Sequence, residues 1–166
     1  ILAKLTGAEV VQHTRGGARL AEQLNPKTKM GKRTQEALQS QKWDFVILQE
    51  MSNGPISSKK SFLENAGKLC EQIRENGAKP VFYATWAYQR EGKKLETFGM
   101  DYDEMYQQMY EAYHQAAEGN HALIAEVRKK FYELSDKEEL YADDGCHPNE
   151  KGSYIAAEVI AEVVLN

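Results

Sequence analysis

Cysteine is scarce. Cys70 and Cys146 are the only two in 166 residues, too few for a disulfide framework. Four prolines and 12 glycines leave no room for a collagenous or proline-rich disordered chain. No apolar run approaches the roughly 20 residues that a spanning helix needs. Charge of either sign is not in large excess: 21 Lys and Arg against 25 Asp and Glu give a net charge of −4. Such a chain has no strong positive field to gather nucleic acid or an anionic membrane surface. A charged leader followed by an apolar core is also absent. The chain begins with Ile1, so its start is expected to lie inside a longer gene product. The two cysteines read as free thiols, and a cytoplasmic, reducing setting is the expectation.

What is present is ordinary for one globular domain, with 42% hydrophobic and 28% charged residues, and the expectation is a single domain over 1–166. Short apolar runs alternate with longer amphipathic ones. Residues 1–6 read as helix, stopped by Gly7. Residues 9–13 (EVVQH) read as a short strand leading into Arg15-Gly16-Gly17. Residues 18–24 and 34–41 read as helix. Residues 44–49 (DFVILQ) form a continuous apolar run, the pattern of a strand buried on both faces. A helix capped by Ser57 or Ser58 carries Phe62, Ala66, Leu69, Cys70 and Ile73 on one face and stops at Asn76-Gly77. Residues 79–86 read as a second buried strand, 89–99 as a surface loop, 101–118 as helix and 122–127 as the last strand. Residues 128–134 then form a short helix. The final helix starts at Asn149 or Glu150, with Ile155, Val159 and Val163 on its core stripe.

Strands alternating with helices predict an α/β fold with a central parallel sheet between two helical layers. In such sheets ligands bind at the carboxyl ends of the strands. The polar residues to examine are therefore Arg15-Gly16-Gly17, residues 49–53, residues 86–88 and residues 143–148. The sharpest pattern is Asp144-Gly145-Cys146-His147-Pro148 ahead of the last helix. An Asp three residues before a His in a tight turn can take the imidazole Nδ1–H, fixing the tautomer and leaving Nε2 as a general base. A plain turn before a helix, with Asp as cap, is the competing explanation.

At these residues the chain resembles the SGNH (GDSL-type) serine hydrolases, flavodoxin-like α/β esterases whose site is built from four separated blocks. The resemblance implies Asp144 and His147 as catalytic residues. It implies Gly17, after the expected strand at 9–13, as an oxyanion donor through its backbone N–H. The third block departs from the family's G-x-N-D: Gln49-Glu50-Met51-Ser52-Asn53 follows the strand instead. A side-chain amide from Gln49 first, or Asn53 second, fits the oxyanion role there. Trp86 and Tyr88, at the end of a strand on the same side of the sheet, are candidates for a substrate wall.

The first block, a Gly-Asp/Asn-Ser elbow, is absent. None of Ser40, Ser52, Ser57, Ser58, Ser61, Ser135 or Ser153 follows an apolar strand near the N-terminus. In a sheet of strand order 2-1-3-4-5 the first strand lies between the next two. Without it, backbone groups at the Val10 and Phe45 edges go unpaired, at a cost of about 1–3 kcal/mol each if buried. The nucleophilic Ser and its strand are thus expected upstream of residue 1. The resemblance implies hydrolysis of a small ester, such as O-acetyl on carbohydrate or a short acyl ester. It implies no metal or organic cofactor, and as partner only a small-molecule substrate, with neither nucleic acid nor membrane. The alternative is a non-catalytic module on a hydrolase-like fold, holding sugar or peptide against Trp86 and Tyr88. Tyr102, Tyr106, Tyr110 and Tyr113 share a helix face and read as core or groove wall. His13, His114 and His121 lack metal-ligand spacing.

Overall fold

The computed structural model describes residues 1–166. In chain order its elements are α1 (Leu2–Thr6), α2 (Leu20–Leu24), α3 (Lys29–Ser40), β1 (Phe45–Leu48), α4 (Gly54–Ser57), α5 (Lys59–Asn76), β2 (Lys79–Tyr83), α6 (Lys93–Phe98), α7 (Tyr102–Gly119), β3 (Leu123–Ala125), α8 (Val127–Leu134) and α9 (Glu150–Leu165). The fold is α/β with a parallel three-stranded sheet in the order β1-β2-β3. Contacts divide the chain into two compact units. One holds residues 1–10, 84–111 and 125–166; the other holds 11–83 and 112–124.

In the unit holding residues 11–83 and 112–124, β1 pairs with β2 from Phe45 opposite Lys79 to Leu48 opposite Phe82. Parallel pairing requires a crossover, and α5 supplies it. The 3.6-residue period of α5 puts Phe62, Ala66, Leu69, Cys70 and Ile73 on one buried face. Phe62 meets Phe82 and Tyr113 edge to face, at 6.3 and 5.3 Å between ring centroids. Asn76, at the end of α5, is buried and satisfied. Its Nδ2 donates to the Leu38 and Gln41 carbonyls, and its Oδ1 accepts the Trp43 N–H. One side chain thereby fixes the connection into β1.

Cys70 is fully buried on that face, and burial pushes its thiol up to about 11. The reactive thiolate is then scarce at neutral pH. Iodoacetamide at pH 8 is expected to leave Cys70 unmodified in the folded protein and to alkylate it in denaturant. Modification at equal rates in both states, read by peptide mass, would contradict this burial.

All four strand expectations change: those at 79–86 and 122–127 shorten to Lys79–Tyr83 and Leu123–Ala125, and the other two change more. Residues 9–13 are irregular backbone, with Val10 and Val11 exposed by 46% and 55%. No strand lies beside them to take their N–H and C=O groups, and strand propensity is expressed only through pairing. The run at 44–49 contains a strand over Phe45–Leu48, but Phe45, Val46 and Ile47 are half-buried and only Leu48 is buried. β1 lies at the sheet edge, so its outer side lacks a neighbouring strand.

In the other unit, α9 packs against α1 and α8. Its buried stripe runs through Gly152, Ala156, Val159 and Ile160, while Ile155 and Val163 are half-buried. A short helix, α6, occupies part of the stretch expected to be loop. Leu95 anchors it, and Phe98 meets Tyr88 edge to face at 5.7 Å. Two apolar residues in a polar segment gave too little periodicity to reveal it. Of the α7 tyrosines in this unit Tyr102 is buried, Tyr106 half-buried and Tyr110 exposed; Tyr132 stacks on Tyr102 and Tyr106, and the Arg128 guanidinium lies over the Tyr106 and Tyr110 rings. Cation–π contact of this kind offsets part of the cost of burying Arg128, along with its ion pair to Glu126 at 2.8 Å.

Phe131 is the centre of this unit's core. It is fully buried, stacks on Trp86 at 3.9 Å and meets Tyr141 edge to face at 5.5 Å. Phe131→Ala is expected to cost about 3–5 kcal/mol of stability. Chemical denaturation measures it, and a loss below about 1 kcal/mol would mean that the site collapses around the cavity.

Candidate active site

The segment from Leu140 to Asn149 is folded back on itself. Tyr141 and Pro148 form an antiparallel bridge. The Ala142 N–H donates to the His147 carbonyl at 2.8 Å, and the Asn149 N–H to the Leu140 carbonyl at 2.9 Å. Gly145 turns the chain with φ +64°, a conformation a side chain would strain. Asn149 caps α9, accepting the Gly152 N–H on Oδ1, and its Nδ2 donates to the Glu139 carbonyl. The turn is thus tied at both ends independently of the Asp144 and His147 side chains.

Asp144 holds the middle of the turn. Its Oδ1 accepts the backbone N–H groups of Cys146 and His147, both at 2.9 Å. Its Oδ2 accepts the Nδ1–H of His147 in a short hydrogen bond. The His147 hydrogen bond, then the two backbone donors, hold the Asp144 carboxyl far below the usual carboxylate range. Asp144 therefore stays ionised wherever ordinary carboxylates titrate, near pH 4. The His147 side chain is 71% exposed. With Nδ1 committed to Asp144, Nε2 is the open nitrogen. Of the two explanations of the sequence motif, the structure has both at once: Asp144 ties the turn with one oxygen and orients the imidazole with the other.

Three further bonds hold this turn from beneath. The Trp86 Nε1–H donates to the Cys146 carbonyl at 2.9 Å, the Gln89 N–H to the Gly145 carbonyl at 2.8 Å, and the Tyr141 hydroxyl to the Ala87 carbonyl at 2.8 Å. Burial raises the Tyr141 phenol well above its ordinary value, so it stays protonated as a donor. Trp86 and Tyr88 are 8% and 3% exposed. Their rings pack against Phe131 and Phe98, so both are core residues where a substrate wall was expected, and Trp86 also supports the turn. Side chains alternate across a strand end, and the sequence pattern does not say which side a terminal aromatic takes. Gln89 and Tyr141 were not foreseen. Tyr141 leaves one trace, an aromatic residue within a polar connection. A shallow depression of about 580 Å³ lies alongside, lined by Gln89, Glu139, Tyr141, Ala142, Asp143 and Asn149.

The remaining expected residues lie in the other unit. Gly17 takes φ +68° in a turn closed by the Ala18 N–H on the Arg15 carbonyl, at 3.1 Å. A side chain there would strain the backbone, although space for a Cβ is open. Gln49 follows β1 and is exposed. Asn53 is half-buried, and its Oδ1 accepts the Ser57 hydroxyl at 3.1 Å. Between Gln49 and Asn53 sits a residue with no assigned role, Glu50. It is buried, with its carboxylate bonded to the Leu20 and Met51 N–H groups. No group of three His, Cys, Asp or Glu side chains is arranged to hold a metal ion, and no helix is long and apolar enough to cross a membrane.

No family model matches the chain, and no curated protein matches its sequence. Solved structures do. A chain from Slackia heliotrinireducens described as "a putative SGNH hydrolase" is 49% identical, with a TM-score of 0.94 over 98% of this chain and 88% of that one. Two more distant chains share the fold. A DUF4886 family protein from Bacteroides uniformis is 24% identical, with a TM-score of 0.61 over 78% of this chain and 53% of that one. A protein from Parabacteroides merdae described as "a putative GDSL-like lipase" is 12% identical, with a TM-score of 0.65 over 89% of this chain and 69% of that one. Identity near one half over almost the whole chain, together with the Asp144–His147 pair ahead of the last helix, leads to one assignment: this chain belongs to the SGNH hydrolases.

Proposed function

We propose that the protein hydrolyses a small carboxylic ester by a serine mechanism. The observation that carries the reading is the Asp144–His147 hydrogen bond, which leaves Nε2 as the open imidazole nitrogen. In this reading a Ser outside residues 1–166 attacks the ester carbonyl carbon. Its proton passes to His147 Nε2 as the new C–O bond forms. Asp144 holds the ring and stabilises the imidazolium. The tetrahedral oxyanion takes hydrogen bonds from the Gly17 N–H and the Gln49 side-chain amide, with Asn53 as the alternative amide; one such donor is worth about 10²–10³ in rate. His147 then gives the proton to the leaving alcohol as the ester C–O bond breaks. Water, activated by the same nitrogen, releases the acid from the acyl-enzyme.

The unpaired outer side of β1 supports a further strand carrying that Ser in the complete polypeptide. A sugar- or peptide-binding module would need Trp86 and Tyr88 as an open platform, and their burial gives that reading no support. The test is turnover of p-nitrophenyl acetate by the complete gene product. The expected result is steady-state hydrolysis that a metal chelator leaves unchanged. Absence of turnover, or its loss on chelation, would overturn the proposal.

A further inference from the structure

Glu50 is an acidic residue buried to 4% exposure, a state that requires partners. Its partners are both backbone donors, and they come from two different segments. Oε2 accepts the N–H of Leu20 at 3.1 Å; Oε1 accepts the N–H of Met51 at 3.0 Å. Leu20 begins α2, three residues after Gly17. Met51 is two residues after Gln49 and two before Asn53. One carboxylate thus joins the segment that carries Gly17 to the segment that carries both candidate amides. Gly54 makes room for it: a Cβ at that position would lie 2.7 Å from Glu50 Cγ and 2.8 Å from Oε1. Burial raises the Glu50 carboxyl above its ordinary value, with the two N–H donors and the Arg19 charge acting against that shift.

We propose that Glu50 is a positioning residue for the oxyanion donors: its carboxylate sets the spacing between the Gly17 N–H and the amide of Gln49 or Asn53. The inference rests on the esterase reading. Its physical content is that two acceptor oxygens are needed at one place. A Gln side chain has the same size but one acceptor oxygen and an NH2 group. Placed here, that NH2 would face a backbone N–H, donor against donor, and one of the two segments would be released. Donors aimed at a developing oxyanion act in the transition state, so their misplacement lowers kcat and leaves substrate binding largely intact.

The experiment compares Glu50→Gln and Gly54→Ala with the wild type in the complete gene product. The measurements are p-nitrophenyl acetate kinetics, thermal unfolding and amide hydrogen exchange at Leu20 and Met51. Glu50→Gln is expected to lower kcat about 10-fold or more, with KM within about twofold. Exchange at one or both amides should rise at least tenfold. Gly54→Ala keeps the carboxylate but displaces it, and is expected to give the same kcat-against-KM pattern, which covers the case of a Glu50→Gln protein that does not fold. A wild-type kcat in a folded Glu50→Gln protein, or in Gly54→Ala with the Leu20 and Met51 exchange altered, overturns the proposal. If the wild type itself shows no turnover, the esterase reading has failed. The exchange data then decide the clamp alone: unchanged Leu20 and Met51 rates in both variants reject it, and faster rates support it.

Discussion

His147→Ala is expected to lower ester hydrolysis by the complete gene product by about 10⁴-fold, with kcat carrying the loss. In the proposed mechanism the imidazole is the group that takes the nucleophile's proton and returns it to the leaving alcohol. What survives in Ser-His-Asp hydrolases after such a deletion is the contribution of the oxyanion donors and binding. The fold should not notice. The His147 side chain is largely exposed, and the backbone bonds that shape the turn run through the His147 N–H and carbonyl, which alanine keeps. An unchanged unfolding midpoint with collapsed turnover is the predicted pair of results. Turnover within about tenfold of wild type would remove His147 from the mechanism.

Asp144→Asn is expected to cost about 10³–10⁴-fold in kcat, for a different reason. Asn keeps an oxygen able to accept the Cys146 and His147 N–H groups, so the turn retains its ties. The other position becomes an NH2 group facing Nδ1. The imidazole then has to present Nδ1 as an acceptor, which puts the proton on Nε2 and blocks it as a base. Charge matters as well, since no carboxylate remains to stabilise the imidazolium. The pH dependence follows from the depressed Asp144 carboxyl. A group whose folded pKa is lowered gives stabilisation that is present above its unfolded value and lost only as pH falls through the folded one. Asp144 therefore stays ionised across the ordinary carboxylate range, and the acid limb of the wild-type kcat/KM profile should show no Asp144 ionisation near pH 4. Such an ionisation, absent from the Asp144→Asn profile, would show that the bond to His147 is not made in solution.

Several of these features could be read from the residues alone because they are local. The α5 face is written in a 3.6-residue period, and Phe62, Leu69 and Ile73 are buried on it. Asp144 and His147 are three residues apart, so a turn suffices to join them. Gly7 and Gly77 end their helices in the left-handed conformation. The misreadings concern what depends on distant partners. Residues 9–13 have strand composition, and strand formation needs a neighbour that sequence composition cannot name. Trp86 was expected at a strand end but lies three residues past β2; its indole turns inward through Phe131 and the Cys146 carbonyl, 45 and 60 residues on. Glu50 looks like one more polar residue in a loop. Its burial follows from Leu20, 30 residues earlier, and from the missing side chain at Gly54.

The central claim is that His147 activates a serine, and reaction with a fluorophosphonate probe tests it most directly. Such a probe phosphonylates a hydroxyl only when a neighbouring base has made it nucleophilic. The account predicts a single adduct in the complete gene product, on a Ser outside residues 1–166, formed at least 10³-fold more slowly in His147→Ala. An adduct that forms at the wild-type rate in His147→Ala, or one located on Ser40, Ser52, Ser57, Ser58, Ser61, Ser135 or Ser153, would contradict it.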